Sequence, residues 1–170
     1  MWEYRGQKRP PFAQEPAIGQ ESVWDYPRPP LVKPCDRLVV VATDGITLAR
    51  STRTVRVMET ASPPGFYIPE ADIDWAQLKE TPGSSVCEWK GVAQYWALAS
   101  GDMSRPVGWS YPDPIPEFGI LRGYVSFYPG RVDCYVDQEK VRPQAGEFYG
   151  GWITDEIVGP CKGEPGTGHW

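Results

Sequence analysis

The chain has 170 residues, enough for one domain with a full core, and its net charge of −5 argues against the basic surface that a general nucleic-acid binder needs. At 41% hydrophobic and 13% aromatic it is rich enough to fold, and its 18 glycines and 19 prolines predict many tight turns, as in a loop-rich β protein. One histidine, His169, beside the C-terminal residue argues against Ser-His-Asp or Cys-His catalysis and leaves the widely spaced Cys35, Cys87, Cys134 and Cys161 short of a zinc site, so no metal or cofactor is expected.

No apolar run reaches the roughly 18 residues that span a bilayer, and Met1 to Pro11 lacks the apolar core of a signal peptide. The expected address is the cytoplasm, with the four cysteines as reduced thiols, no membrane partner and no nucleic-acid partner.

Residues 1–34 read as an extended, proline-rich leader lying over the domain, 35–163 as the β domain, and 164–170 as a frayed tail. The leader holds Trp24-Asp25-Tyr26-Pro27-Arg28-Pro29, echoed later by Trp109-Ser110-Tyr111-Pro112-Asp113-Pro114. Each copy is expected to plug an aromatic pair into the core. Leu38 to Ala42 and Ile46 to Arg50 predict strands joined at Asp44-Gly45, a hairpin signal, and Thr54 to Thr60 predicts a third strand. Ser51, Arg53 and Glu59 fall near the strand ends. Asp72 to Leu78 predicts a short helix capped by Asp72, with Thr81-Pro82-Gly83 closing the connection after it.

The stretch from Ser84 to Leu98 combines a thiol at Cys87, an ammonium at Lys90 and a permissive Gly91. Val92 to Leu98 alternates with both faces largely apolar, which predicts a central strand. In an unbroken strand Cys87 and Lys90 would point to opposite faces. Joint chemistry between them therefore depends on Gly91 breaking the pleat. The alternative is a buried, inert Cys87 and a solvated Lys90.

Ser100 to Pro116 reads as a second proline-rich loop, Ile120 to Tyr128 as a long strand, and Val132 to Val136 as a strand with Cys134 on its apolar face. Phe148 to Ile153 is the last apolar segment. Eight tryptophans and nine tyrosines exceed the needs of one small core, so some are expected to wall a groove. The candidates for that ligand site are Arg53, Glu59, Tyr67, Tyr95, Trp109, Tyr111, Tyr128 and Trp152, with Cys87 and Lys90 as the candidate catalytic pair.

Trp24 to Pro30, Met58-Glu59-Thr60, Phe66-Tyr67-Ile68-Pro69, Cys87-Glu88-Trp89-Lys90-Gly91, Trp109 to Pro112 and Val125 to Tyr128 together resemble the bacterial domain-of-unknown-function family 427. The resemblance implies a fold like the β-tent superfamily, which includes methionine sulfoxide reductase B and the thalidomide-binding domain of cereblon. That fold is mainly β: two small antiparallel sheets packed at an angle, with one short helix and long Pro/Gly-rich connections. The paired Cys-x-x-Cys zinc knuckles of many members are absent here. By the same resemblance, Trp109, Tyr111 and Trp152 are candidates for an aromatic cage. A nucleotidyltransferase label goes with the family, but Asp72-Ile73-Asp74 precedes Gly83-Ser84, the reverse of the order that such transferases use to hold Mg²⁺.

The expected function is a small-molecule-binding β domain with an aromatic-walled, partly charged pocket. The alternatives are a thiol enzyme built on Cys87, with Lys90 or Arg53 favouring the thiolate and Cys161 as a resolving thiol, a nucleotidyltransferase, or an interaction module using the leader.

Overall fold

The computed structural model describes residues 1–170, and the protein is mainly β. The strands in chain order are β1 (Glu21–Ser22), β2 (Leu31–Cys35), β3 (Val39–Thr43), β4 (Ile46–Ser51), β5 (Thr54–Met58), β6 (Gly65–Pro69), β7 (Leu78–Cys87) and β8 (Gly91–Leu98). They continue with β9 (Gly108–Ser110), β10 (Tyr124–Phe127), β11 (Asp133–Val136), β12 (Glu139–Lys140), β13 (Arg142–Pro143), β14 (Trp152–Ile153) and β15 (Ile157–Val158). One sheet has the order β2-β5-β6-β10-β9-β8-β7 and a second the order β12-β11-β3-β4, while β1 pairs with β15 and β13 with β14. No helix is long and apolar enough to cross a membrane.

The two larger sheets share one core. Val39, Val41 and Leu48 come from the smaller sheet, Phe66, Ile68, Val125 and Phe127 from the larger, and Cys134 lies fully buried among them. Because side chains alternate along a strand, sending Phe66 and Ile68 inward leaves Tyr67 on the opposite face of the larger sheet. That outer face carries a separate cluster of Val55, Val57, Tyr67, Ala93, Tyr111, Phe118 and Leu121.

The β3–β4 hairpin turns through Asp44 and Gly45, both at positive φ, as its Asp-Gly pair predicts. Several segments differ from the sequence expectation. Asp72 to Leu78 forms no continuous helix: it holds two single 3₁₀ turns, Glu70–Asp72 and Trp75–Gln77, the second capped by Asp74. Ile73 between them bridges to Ala49, and the Asp74 N–H donates to the Leu48 carbonyl, so pairing with β4 takes the backbone out of the helix. Thr81-Pro82-Gly83 is no connection but an irregularity inside β7, where the register against β8 shifts between Glu80 and Ser84. β7 is an edge strand, which tolerates a proline that a central strand does not. The expected strand from Ile120 is shortened at its start by a 3₁₀ segment, Pro116–Leu121.

The leader is built into the fold. β2 forms the other edge of the larger sheet, and Val23, Trp24 and Tyr26 form a core with Tyr4, Met58, Ala61 and Ile157. Trp170 stacks on Phe12 at 5.0 Å and meets Trp24 edge-on at 5.3 Å, so the last residue packs against the leader.

Candidate functional site

A cavity of about 360 Å³ opens on the outer face of the larger sheet. Its wall follows from strand pairing. Tyr95 on β8 lies directly across from Trp109 on β9, and Val55 on β5 across from Tyr67 on β6, so aromatic side chains from neighbouring strands share one face. The Trp109 indole N–H donates to Tyr67 Oη at 3.2 Å, and the Trp109 ring lies 4.6 Å from that of Tyr128. Tyr67 and Tyr111 approach with ring centroids 6.4 Å apart. Tyr95 Oη is 2.7 Å from Ser85 Oγ. The wall is thus cross-linked by hydrogen bonds as well as by ring contacts.

Gly91 has φ +108° and pairs with Cys87 across the β7–β8 turn, so Glu88, Trp89 and Lys90 form a tight reversal. The Lys90 carbonyl accepts from Ile115 N–H at 3.0 Å, which fixes the turn against the proline-rich loop. Breaking the pleat there puts Cys87 and Lys90 into the same cavity. Opposite them, Gly150 carries the loop 148–151 against Trp109. A Cβ at Gly150 would lie 2.4 Å from that indole ring, so only glycine permits the approach.

The charges lie at one side. Glu59, just beyond β5, accepts from Arg28 Nε at 3.0 Å and from Trp89 Nε1 at 3.2 Å. The Arg28 side chain is 1% exposed and also donates to the carbonyls of Tyr4 and Thr60. Lys90 is 9% and Lys162 4% exposed, and Lys162 is tethered through its carbonyl, which accepts from Gln144 Nε2 at 2.6 Å. The Trp2 indole lies 4.1 Å from the Arg28 guanidinium and 4.1 Å from Lys162 Nζ.

These surroundings set the protonation states. Burial works against the Lys90 ammonium, but the neighbouring Tyr67, Cys87 and Glu59 outweigh it and hold the pKa above the ordinary lysine value. Lys162 moves the other way: burial, and then the Arg28 cation, lower it. Burial raises the Tyr67, Tyr111 and Tyr128 phenols, keeping them neutral donors at physiological pH. Among these neighbours Glu59 is the carboxylate that favours the Lys90 ammonium.

Of the residues expected at the site, Cys87, Lys90, Glu59, Tyr67, Tyr95, Trp109, Tyr111 and Tyr128 line the cavity. Arg53 and Trp152 do not. Arg53 lies before β5 and Glu59 beyond it, and six residues of extended chain separate them by roughly 20 Å. The Arg53 guanidinium instead meets Asp72 at 2.8 Å, beside Ser51. Trp152 is fully buried in the main core, stacked on Phe66 at 5.0 Å, with its N–H on the Phe127 carbonyl. Cys161 does not line the cavity either; it packs on the leader core, and burial pushes its thiol up to about 11. Trp2, Arg28, Trp89 and Lys162 went unrecognised in the sequence. Trp89 adjoins Lys90 and could have been found from that position alone.

A family model described as a domain of unknown function (DUF427) matches residues 31–138. The chain belongs to that family. The matched DUF427 segment contains the aromatic wall and the Cys87–Gly91 turn, whereas Trp2, Gln144, the loop 148–151 and Lys162 fall outside it. Comparison with curated proteins yields no match.

Proposed function

We propose that this DUF427 domain binds a small molecule in the cavity on the outer face of its larger sheet. The observation that carries the reading is the convergence of five aromatic rings from four segments, Tyr67, Tyr95, Trp109 with Tyr111, and Tyr128, around a pocket with a buried ammonium at Lys90. Concave, mostly aromatic sites with a few fixed polar groups are the usual form of ligand pockets. Four unpaired cysteines, one of them in the cavity, support residence in a reducing compartment such as the cytoplasm, and the net charge of −5 favours a small-molecule partner over nucleic acid. The test is a thermal-shift screen of the full chain against a metabolite library, repeated on Trp109→Ala. Compounds that raise Tm in the parent and not in the variant support the site; a screen with no such compound counts against it.

A thiol reaction at Cys87 is the second reading, favoured by its half-buried place beside Lys90 at the cavity wall. Cys134 is fully buried with its thiol raised well above the ordinary value, so it serves as the internal unreactive control. Iodoacetamide at neutral pH should alkylate Cys87 far faster than Cys35, Cys134 or Cys161. Uniformly slow labelling removes this reading. Nucleotidyl transfer is less favoured, because Glu59 is committed to Arg28, leaving Glu88 as the one uncommitted carboxylate on the cavity wall.

A further inference from the structure

The protein is acidic overall, and its cavity is lined by two lysines and two glutamates, of which the lysines are the buried pair. Two buried ammonium groups, Lys90 and Lys162, reach it, with the Arg28 guanidinium behind them. Of the two carboxylates on the wall, Glu59 is held by Arg28 and Trp89, and Glu88 is exposed to solvent. Neither ammonium forms an ion pair: Lys90 sits beside the Cys87 thiol and 5.7 Å from the Tyr111 ring, and Lys162 faces the rings of Trp2 and Tyr149 at 4.1 and 5.3 Å. Glu59 favours both ammonium groups, but neither has a carboxylate in direct contact, and an anion in the cavity would supply that contact. Flat rings already serve these cations within the chain itself, since Trp2 lies against both Arg28 and Lys162.

Resting on the ligand-site reading above, we infer that the cavity takes a small planar anion, a single aromatic or heteroaromatic ring bearing a carboxylate or a phosphate. The acid group meets Lys90 and Lys162, and the ring lies along Tyr67, Trp109 and Tyr111. The volume of about 360 Å³ is at the small end for ligand pockets, which suits one ring with a short acidic substituent better than a dinucleotide. The neutral phenols add donors but no charge, so discrimination between ligands falls to the two lysines.

The experiment is calorimetric titration of the full chain with four probes of similar shape: benzoate, phenyl phosphate, benzamide and benzylamine. Benzoate or phenyl phosphate is expected to bind at least tenfold more tightly than the neutral and cationic rings, and the tighter of the two identifies the acid group. Lys90→Met and Lys162→Gln should each weaken that binding by about tenfold to a hundredfold, the range for losing one charge-assisted hydrogen bond. Lys90→Arg, which keeps the charge, should retain more affinity than Lys90→Met, and circular dichroism of each variant separates lost binding from lost folding. Benzamide or benzylamine binding as tightly as the acids overturns the anion assignment while leaving the ligand site standing. Absence of binding by all four probes overturns the assignment, and if the library screen also finds no compound dependent on Trp109, the ligand site falls with it.

Discussion

Arg28 ties three segments together, so its truncation tests whether the charged side of the cavity is a structural joint. Its side chain is 1% exposed and pairs with Glu59 at 3.0 Å, while its two terminal nitrogens donate to the Tyr4 and Thr60 carbonyls at 2.8 and 3.0 Å. Arg28→Ala removes all three bonds and leaves two carbonyls without that donor. It also frees Glu59, whose side chain is 22% exposed and can rehydrate in part. Breaking a buried pair by removing one partner costs about 3–5 kcal/mol, and the partial exposure of Glu59 places this case toward the lower end. For a chain of this size each kcal/mol lowers Tm by about 2–4 °C, so a loss near 3 kcal/mol lowers Tm by roughly 6–12 °C. Glu59→Gln keeps both carbonyl bonds and one acceptor for Trp89, so it should lose distinctly less. Differential scanning calorimetry of the three proteins at neutral pH reads the difference. A loss in Arg28→Ala of about 1 kcal/mol or less, or a larger loss in Glu59→Gln, would refute the view that Arg28 anchors the leader to the end of β5.

Gly150→Ala should displace the loop 148–151, because the new Cβ would sit 2.4 Å from Trp109 and 3.0 Å from Tyr128. Overpacking of this kind costs about 1–3 kcal/mol, and a shifted tryptophan emission spectrum with lowered Tm is the expected signature; an unchanged spectrum and Tm would show that the loop is free to move away. Asp72→Asn should flatten the acid limb of the stability curve. Hydrogen bonds from Arg53 and Ser51 hold the Asp72 carboxyl below its ordinary pKa of 3.8, so its contribution is present above that value and lost as pH falls through the lower folded one. Urea unfolding between pH 2 and pH 6 checks it, and parallel curves for the two proteins would refute it. Trp152→Ala should cost about 3–5 kcal/mol through the cavity it leaves in the main core, whereas Trp109→Ala, on the half-exposed wall, should cost less. Equal losses would place Trp109 in the core as well.

Local chemistry carried the hairpin at Asp44-Gly45 and the kink at Gly91, because a left-handed backbone position leaves its mark in a glycine or in a residue tolerant of positive φ. Alternation likewise placed Cys134 inside. β2 and β7 were hidden because each contains a proline, Pro34 and Pro82, and whether a strand can hold one depends on its lying at a sheet edge, a property of tertiary order. The wall of the cavity was legible by residue type, since rings in excess of the core have to stand somewhere. Arg28, Trp2 and Lys162 were not. They lie in segments without period, and their partners are far off in sequence, Glu59 from Arg28 and Lys162 from Trp2. Arg53 misled for the opposite reason: closeness in sequence to Glu59 is distance in space when a strand runs between them.

The division between wall and charge has a physical origin. A sheet face offers positions fixed by the pleat, so β6, β8 and β9 can present Tyr67, Tyr95 and Trp109 in one plane without help from the rest of the chain. It offers little for holding cations out of water, because that requires carbonyls and rings arriving from several directions. Those arrive with Trp2, Gln144, Tyr149 and Lys162, all beyond the segment matched by the DUF427 family. The aromatic wall thus belongs to the strands and the second cation to the chain that wraps them. A change at Lys162 alters the charge lining the cavity while leaving the aromatic wall in place.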